Sequence, residues 1–536
     1  MTVRADASLS SVAGTGSLLR FALRRERFTL PLWLFGLGVL MTMQSVGSQR
    51  FYGAPEKLAQ LRATIGASAA ALATGGPARL LDTIGGEVLF EIFAYLAIVA
   101  ALMNMFVIGR HTRSDEETGR AELIRSTRVG RRAPAVAALA LAAIADCAAA
   151  LVVFGAAAAT GLPTGGSLLT GVAVGGIGFS FAAATTLAAQ IFENPRSVYG
   201  SVTLAIAAAY VLRAVGDVGN DAIAWTSPIG WGQRSYPFVV DRWWPALLFP
   251  MASAALIAAA FFVLERRDFG AGLFRYGTGR PTASVLLGSP LGLAWRLQRA
   301  VLAAWVFGVF MLGVAYGSFA DSIEQYLADN PAIAAYLPGG VEDAVDSYLV
   351  LTISITSLLA AAYGVAAGLR ARSEEAAGRA DTLLAGPIAR GTWLGSHLTV
   401  VLAGSALVTI AGGFGGGVSY GMTISDPAQP ARLAAAALVY VPAVWVIIAL
   451  AVLGFGWIPR AAAAVAWAVF VYCVVAILFT DAFDLPEWFE AASPFRHATQ
   501  APLEDAAAMP ILALLVTAAA LLAVGFVGFR HRDVGY

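Results

Sequence analysis

The sequence predicts an all-α protein that crosses a membrane about twelve times, built as two parallel repeats of six transmembrane helices. Three observations support this prediction: a composition poor in charge, long apolar runs, and an internal repeat. Of the 536 residues, 58% are hydrophobic and 13% are charged, with a mean hydropathy of +0.73, whereas soluble domains have about 25% charged residues. Apolar runs of about 18 residues or more recur along the chain, and about 20 helical residues cross a bilayer core.

The apolar runs are continuous and rich in alanine and leucine, which favours helices over the short alternating strands of a membrane barrel. In the first half the predicted spans are residues 28–46, 87–109, 134–159, 167–192, 197–215 and 244–264. In the second half they are residues 300–318, 347–369, 392–413, 433–457, 461–479 and 507–529. The first run lacks a small-residue cleavage pattern, so we expect a transmembrane helix there and not a cleaved signal peptide.

The distribution of arginine predicts a multi-pass protein of the plasma (inner) membrane with both termini in the cytoplasm. Segments that would face the cytoplasm are rich in arginine, as the positive-inside rule requires. By contrast, residues 319–346 contain acids and neither lysine nor arginine. The first predicted outer loop, with Arg50, Lys57, Arg62 and Arg79, fits this orientation least well.

Four stretches of sequence recur in the same order in both halves, which indicates an internal duplication. The matched positions are Arg24, Arg27, Leu30, Trp33, Phe35 and Gly36 with Arg296, Arg299, Leu302, Trp305, Phe307 and Gly308; residues 113–122 with 372–381; Ser227 and Pro228 with Ser493 and Pro494; and Arg267, Asp268 and Gly270 with Arg532, Asp533 and Gly535. Six spans per half make the repeats parallel, because inverted repeats need an odd number of spans. The predicted domains are residues 1–285 and 286–536.

The second of these stretches, extended to residues 113–131 and 372–390, is the strongest candidate for a functional site. Each copy lies between the second and third span of its half. Acids come first and arginines last, an order that suits the dipole of a short helix. A short amphipathic helix on the membrane surface is a docking site for a cytoplasmic partner. The alternative is a charged loop that only anchors the spans, but anchoring needs positive charge alone, whereas the acids also recur.

The segment before the first span is predicted to be amphipathic as well. Arg20, Arg24 and Arg27 share one face at helical spacing, and Arg296 and Arg299 repeat this arrangement before the seventh span. An interfacial helix that leads into a span explains this pattern, and simple anchoring explains it almost as well.

Over essentially its whole length, the chain resembles two fused permease units of a type-2 ABC exporter, and it is most similar to actinobacterial multidrug and polyketide-antibiotic exporter permeases. The resemblance rests on six spans per unit, the amphipathic segment before the first, and an acidic pair followed by Gly-Arg-x-Glu/Asp-x-Leu between the second and third. It implies that these segments couple the chain to an ATPase. The implied coupling residues are Asp115, Glu116, Glu117, Gly119, Arg120, Glu122, Glu374, Glu375, Gly378, Arg379 and Asp381.

The resemblance further implies export of amphiphilic or hydrophobic compounds, such as drugs or antibiotics. Two copies of a cytoplasmic ABC ATPase would be the partners, and ATP with magnesium would bind on those partners. The second copy of the motif departs from the first, because Ala376 and Ala377 replace Glu117 and Thr118. The two docking sites are therefore expected to be unequal.

The chain itself has no nucleotide-binding or catalytic motif, so we expect a transporter subunit and not an enzyme. Its only lysine, Lys57, lies in a predicted outer loop, which excludes a phosphate-binding Gly-x-x-x-x-Gly-Lys-Ser/Thr loop. The glycines of residues 412–417 end a predicted span and indicate a close helix contact or a flexible turn. Scattered histidines and cysteines argue against a metal site, and a net charge of +1 gives no electrostatic case for nucleic acid.

A proton-driven secondary exporter is the alternative function, and a membrane-embedded lipid-modifying enzyme is a third. Proton coupling requires ionisable groups at membrane depth, and Asp146 is the one deep acid in a predicted span. Asp146 is interpreted as a structural hydrogen-bonding group, as part of a polar substrate path, or as a proton relay. The tryptophan-rich segment 221–243 would suit an enzyme superficially, but an interfacial aromatic belt with a re-entrant segment explains it better.

In the exporter interpretation, substrate passes between the halves along their second and fifth spans. The candidate path residues are Phe90, Phe93, Asn104, Phe106, Asp146, Tyr210, Phe470 and Tyr472. Aromatic walls with few charges favour amphiphilic or apolar cargo. Contact with lipid or with neighbouring helices explains each ring equally well.

Overall fold

The computed structural model describes residues 10–66, 69–268, 270–273, 282–320, 344–478, 480 and 486–533. Within these ranges the regular elements are helices, which confirms the all-α prediction. The chain forms two compact units, one within residues 1–279 and one within residues 280–536. They are called unit 1 and unit 2 below.

Unit 1 begins with a short helix that precedes its first long one. Its described α-helices are α1 (Thr15–Arg25), α2 (Thr29–Tyr52), α3 (Pro55–Ile65), α4 (Ala69–Thr74), α5 (Ile84–His111), α6 (Arg113–Glu117), α7 (Arg120–Arg125), α8 (Ala133–Ala159), α9 (Thr164–Ile191), α10 (Pro195–Val218), α11 (Asp221–Ala224), α12 (Pro228–Arg234) and α13 (Leu248–Arg266). Short 3-10 helices at Ala78–Asp82 and Trp244–Leu247 precede α5 and α13.

Unit 2 follows a similar order of long and short helices. Its described α-helices are α14 (Pro290–Gly317), α15 (Ala344–Gly368), α16 (Arg370–Ala376), α17 (Arg379–Leu384), α18 (Arg390–Ile424), α19 (Gln429–Leu438), α20 (Val441–Trp457), α21 (Ala462–Leu478), α22 (Glu487–Ala491) and α23 (Ala508–His531). The acidic stretch singled out between the seventh and eighth spans lies, except for its ends, outside the described residues.

Eleven helical stretches in the described ranges are long and apolar enough to cross a membrane. The predicted eleventh span corresponds to α21, which is apolar but has only 17 residues. That is near the lower limit of about 17 residues for a spanning helix. The predicted tenth span is divided between α19 and α20.

Two expectations about helix ends were wrong. The predicted ninth span continues to Ile424 as one 35-residue helix, α18, because its glycines pack against α14 and do not end the helix. Arg296 and Arg299 lie inside α14. Among the described residues, a separate α-helix precedes the first long helix in unit 1, whereas in unit 2 a four-residue 3-10 helix, Val285–Gly288, takes that place. In unit 1 the chain breaks at Glu26, which turns inward to pair with Arg110 and His111.

In each unit one long apolar helix is enclosed by its neighbours. Helix α5 packs against α2, α8, α9 and α10, and α15 packs against α14, α18, α20 and α21. A helix that is apolar on all sides is expected at such an enclosed position. Both enclosed helices lead directly into a pair of short helices, α6 with α7 and α16 with α17, which are called helix pair 1 and helix pair 2.

Candidate functional site

Each helix pair turns at a glycine with a left-handed backbone. Gly119 has φ 73° and Gly378 has φ 69°, and each immediately precedes the second short helix of its pair. L-residues with a side chain rarely adopt this conformation, so glycine is required at the turn. The expectation of a single short helix was therefore wrong: the repeated glycine divides each segment into two.

The first acid of each pair spans this glycine turn. Asp115 lies 3.5 Å from Arg120, and Glu374 lies 2.6 Å from Arg379. Both carboxylates are buried, so each turn is closed by an ion pair between its two short helices.

The second acid of each pair binds the arginine that follows the last helix of its unit. Glu116 pairs with Arg267 at 2.8 Å, and Glu375 pairs with Arg532 at 2.6 Å. These arginines belong to the fourth repeated stretch of the sequence, which had no partner in the sequence analysis. The structure thus joins two separately recurring motifs into one contact, which we call the acid–arginine clamp.

Two further arginines connect each helix pair to backbone carbonyls. Arg113 Nε donates to the carbonyl of Ala189, near the end of α9. Arg372 Nε donates to the carbonyl of Pro459, just after α20, at 2.5 Å. Each arginine therefore reaches the end of the fourth span of its own unit. Arg131 and Arg390 donate to the carbonyls of Arg267 and Arg532, each at 2.7 Å. Both acceptors are the arginines of the clamp.

The predicted coupling residues therefore divide into two groups. The acids of the first group are buried or nearly so and bind arginines of their own unit: Asp115, Glu116, Glu374 and Glu375. The second group is exposed: Glu117, Arg120, Glu122, Arg379 and Asp381. Leu123 extends this exposed face in unit 1, with 74% of its surface accessible.

Helix pair 1 is also connected to α1. Arg25 of α1 pairs with Asp115 at 2.9 Å. The segment before α1 also meets the segment between α7 and α8, through backbone hydrogen bonds from Gly130 N to the carbonyl of Ala13 at 2.9 Å and from Arg132 N to the carbonyl of Ser11 at 2.8 Å. In unit 2, Glu374 takes its second arginine from within helix pair 2, Arg370 at 3.5 Å.

Glu26 connects the link between α1 and α2 to the end of α5. Its carboxylate accepts hydrogen bonds from Arg110 at 2.9 Å and lies 3.0 Å from His111 Nε2. Burial raises the pKa of Glu26, but the hydrogen bond to His111 and the charge of Arg110 outweigh burial and hold the pKa below its ordinary value of 4.5. The link is therefore fixed by an ionised carboxylate.

A cavity of about 200 Å³ lies beside helix pair 1. Asp115, Glu116, Arg131, Gln190 and Arg267 are among the residues that line it. Helix pair 1 thus rests on the helix ends through ion pairs and hydrogen bonds, with open space beside them.

Four of the predicted path residues lie inside unit 1. Asn104 Nδ2 donates to Asp146 Oδ1 at 2.7 Å, and both side chains are buried. Phe93 is packed against Gly232, and Phe90 against Gly75, so neither ring is at the surface of the unit. The pair Asn104–Asp146 links α5 to α8.

The other predicted path residues lie nearer the surface of their unit. Phe106 is 38% exposed and stacks on Trp33 at 6.2 Å. Tyr210 lies beside Arg213, whose guanidinium is 4.5 Å from the ring centroid. In α21, Phe470 packs edge-on against Trp467, and the Tyr472 hydroxyl donates to the carbonyl of Phe489.

The end of α10 and the segment that follows it contain an ion network that the sequence analysis did not identify. Asp217 lies 3.3 Å from Arg213 and 2.9 Å from Arg234, and all three side chains are buried. Arg234 also contacts Asp221 at 2.5 Å. The spacing of Arg213 and Asp217 by one helical turn is the signal from which this pair was predictable. The network fixes α11 and α12 against the end of α10.

Two comparisons with known proteins agree. The family model described as the C-terminal domain of the multidrug efflux system permease Rv1217c matches residues 287–530. The chain is 37% identical over 529 residues to the multidrug efflux system permease protein Rv1217c of Mycobacterium tuberculosis. That alignment covers 98% of this chain and 96% of the relative. This multi-pass membrane protein therefore belongs to the family of multidrug efflux system permeases represented by Rv1217c.

Proposed function

We propose that the chain is the permease subunit of an ATP-driven, type-2 ABC exporter that moves amphiphilic or hydrophobic compounds out of the cell. Two copies of a separate ATPase subunit, which bind ATP and magnesium, would supply the energy. Each copy would dock on one helix pair, which places both helix pairs and both termini in the cytoplasm.

The observation that supports this proposal is the shared construction of the two helix pairs. In each unit the pair follows the enclosed helix and turns at a left-handed glycine. In each unit it is also held to the arginine after the last helix. A segment that only anchors spans requires neither the glycine turn nor buried acids. A rigid segment that transmits movement from a partner to two helices requires both.

The division of residues suggests separate roles for the two groups. The exposed residues would contact the ATPase, and the buried acids would transmit its movement to the end of the last helix. Ala376 and Ala377 are exposed at the positions where unit 1 has Glu117 and Thr118. The two docking surfaces therefore differ in charge, and the ATPase copies would contact them differently.

The test is purification of the full chain with the proteins that associate with it, followed by an ATPase assay. We expect an associated ATPase whose retention is lost in the double variant Glu122→Lys, Leu123→Asp, because both side chains are exposed and make no core contact. Glu504→Lys, an exposed charge reversal preceding α23, is the matched control and should retain the ATPase. Absence of any ATPase from the wild-type preparation would overturn the proposal.

A proton-driven exporter is the second candidate, and the buried Asn104–Asp146 pair favours it. An acid in the middle of a spanning helix is costly and usually functional. In this case transport would collapse with the proton gradient at constant ATP, and Asp146→Asn would abolish it. Transport that depends on ATP and survives Asp146→Asn would leave Asp146 as a structural group between α5 and α8.

A further inference from the structure

Two exposed arginines of unit 1 share one tyrosine ring. The guanidinium carbons of Arg79 and Arg242 lie 5.3 and 5.4 Å from the ring centroid of Tyr236. A guanidinium held over an aromatic face keeps its N–H groups free to donate. Arg79 precedes α5 and Arg242 precedes α13, so the ring brings together two residues that are distant in the sequence.

The loop that presents Tyr236 has a strained and well-fixed backbone. Tyr236, Phe238 and Asp241 all have positive φ, at 46°, 65° and 45°, although none is glycine. The loop is held by hydrogen bonds from Phe238 N to Asp241 Oδ1 at 2.8 Å and from Arg242 N to the carbonyl of Ser235 at 2.8 Å. Strain of this kind persists only where the surrounding structure imposes it, and it is concentrated at binding sites.

Further contacts fix the same loop to the start of α5. Thr83 Oγ1 donates to the carbonyl of Phe238 at 3.1 Å. A side chain at Gly85 would collide with the ring of Phe238. The two arginines are therefore mounted on one rigid platform.

Neither arginine has a carboxylate within ion-pair distance among the described residues. The nearby acids Asp217 and Asp221 are already paired with Arg213 and Arg234, and Asp241 accepts a backbone hydrogen bond. Two guanidinium groups on one ring, without a carboxylate partner among the described residues, offer charged N–H donors of the kind that bind phosphate oxygens.

The platform lies where a membrane-spanning segment begins. The apolar stretch Trp244–Arg266, which includes α13, begins two residues after Arg242. Trp243 and Trp244 are both exposed. Leu247 and Met251, farther along, are exposed apolar residues. Tryptophan marks the headgroup level of a bilayer, so the arginines lie at headgroup depth beside a surface suited to acyl chains.

We propose that Arg79 and Arg242, held on Tyr236, bind the phosphate of an anionic lipid headgroup at the end of unit 1 remote from helix pair 1. Trp243 and Trp244 pack beside the same lipid. Free phosphate shares the headgroup chemistry but gains nothing from the adjacent apolar surface. This site is independent of the proposed coupling to an ATPase.

The test uses the full chain in nanodiscs of phosphatidylcholine, with or without phosphatidylglycerol. Native mass spectrometry gives the affinity for phosphatidylglycerol, and thermal unfolding gives the stabilisation. In the double variant Arg79→Gln, Arg242→Gln we expect the affinity to fall about tenfold or more, since two charge-assisted hydrogen bonds are lost. In pure phosphatidylcholine the variant should unfold at the wild-type temperature.

Arg50→Gln is the matched control, because Arg50 is an exposed arginine at the end of α2 without a described partner. It should bind phosphatidylglycerol as the wild type does. An equal loss in Arg50→Gln would show general attraction of lipid to arginine and would overturn the proposal. So would full stabilisation of the wild type by inorganic phosphate alone. If the double variant does not fold, Arg242→Gln alone gives the same comparison.

Discussion

Unit 1 and unit 2 have the same acid–arginine clamp, but they support its arginine differently. In unit 1, Arg267 Nε donates to Gln190 Oε1 at 2.8 Å. In unit 2, Arg532 lies over the rings of Phe455 and Phe529, 4.8 and 5.0 Å from their centroids. The charged contact is present in both units, but the side chains that support the arginine are polar in unit 1 and aromatic in unit 2. The constraint on both units is therefore the position of the charge and not the chemistry around it.

The first and third spans of the two units are joined by different chemistry. In unit 2, α14 and α18 touch through backbone: a side chain at Gly313 or Gly317 would collide with the carbonyls of Gly412 and Gly416. Counted from the repeated Trp33/Trp305 and Gly119/Gly378, the same positions in unit 1 are Met41, Ser45, Val153 and Ala157.

Side chains make the corresponding contact in unit 1. Ser45 Oγ lies 2.6 Å from Thr160 Oγ1. Gln49 Nε2 donates to Ser45 Oγ and to the carbonyl of Thr160 at 3.0 and 3.1 Å. Small residues allow close backbone contact in membranes, and polar side chains provide interhelical hydrogen bonds. Unit 1 relies on side-chain hydrogen bonds here, whereas unit 2 combines close backbone contact with one hydrogen bond, from Ser419 Oγ to the carbonyl of Val314 at 2.6 Å.

The clamp should have the largest effect when it is broken. In Glu375→Gln, the charge of Arg532, whose side chain is only 14% exposed, loses its counter-ion. We expect this to cost about 3 kcal/mol of unfolding free energy. Thermal unfolding of the purified chain in detergent measures this loss. Adding Arg532→Gln should restore part of the stability, because no unpaired charge then remains buried.

The control for this prediction is Glu122→Gln, which removes an exposed carboxylate. Its expected effect is within about 0.5 kcal/mol. An equal loss of stability in Glu375→Gln and Glu122→Gln would contradict the role of the clamp.

The glycine contact between α14 and α18 of unit 2 should be nearly as sensitive to substitution. Gly313→Val places its side chain where the carbonyl of Gly412 lies, and overpacking of this kind costs about 1–3 kcal/mol. Gly308→Val is the matched control in the same helix, since a side chain there meets open space. Equal unfolding temperatures for the two variants would show that α14 and α18 are not held by backbone contact.

The positions of the spans were predictable, because hydropathy is a local property of the sequence. The end of α18 was not, since glycine is a poor helix former in water but a packing residue between membrane helices. A glycine run therefore suggested an end at residue 413 where the helix continues to Ile424. The choice between the two meanings depends on α14, which is distant in the sequence.

Only part of the acid–arginine clamp was predictable from the sequence. Both of its motifs were identified as repeats, but the contact between Glu116 and Arg267 spans 151 residues. Sequence spacing alone does not give the distance between two helix ends. The direction of the acids was also missed: amphipathic patterning places charges outward, whereas ion pairs with arginines of the same unit hold four of these acids inward.

The connection between α1 and helix pair 1 offers a smaller test of the difference between the units. Arg25→Gln removes the ion pair with Asp115, in which the side chains of Arg25 and Asp115 are 25% and 9% exposed. We expect a loss of about 1 kcal/mol, seen as roughly fivefold faster amide hydrogen exchange in residues 113–117. Helix pair 2 should exchange as before. Arg24→Gln, an exposed neighbour, is the control, and faster exchange there or in helix pair 2 would contradict a specific connection.

The smallest predicted effect is that of acidification, which should act at a position where the two units differ. The pKa of Glu26 lies below its ordinary value of 4.5 in the folded protein. Its contribution to stability is therefore complete above about 4.5 and is lost as the pH falls through the lower, folded pKa. Counted from the repeated Trp33/Trp305, unit 2 has Gln298 at this position, a buried side chain that does not titrate. The protection of residues 26–30 against amide exchange, corrected for the pH dependence of the intrinsic exchange rate, should therefore fall at acidic pH in the wild type but not in Glu26→Gln. An equal loss of protection in the wild type and in Glu26→Gln would assign the effect to other carboxylates and remove this difference between the units.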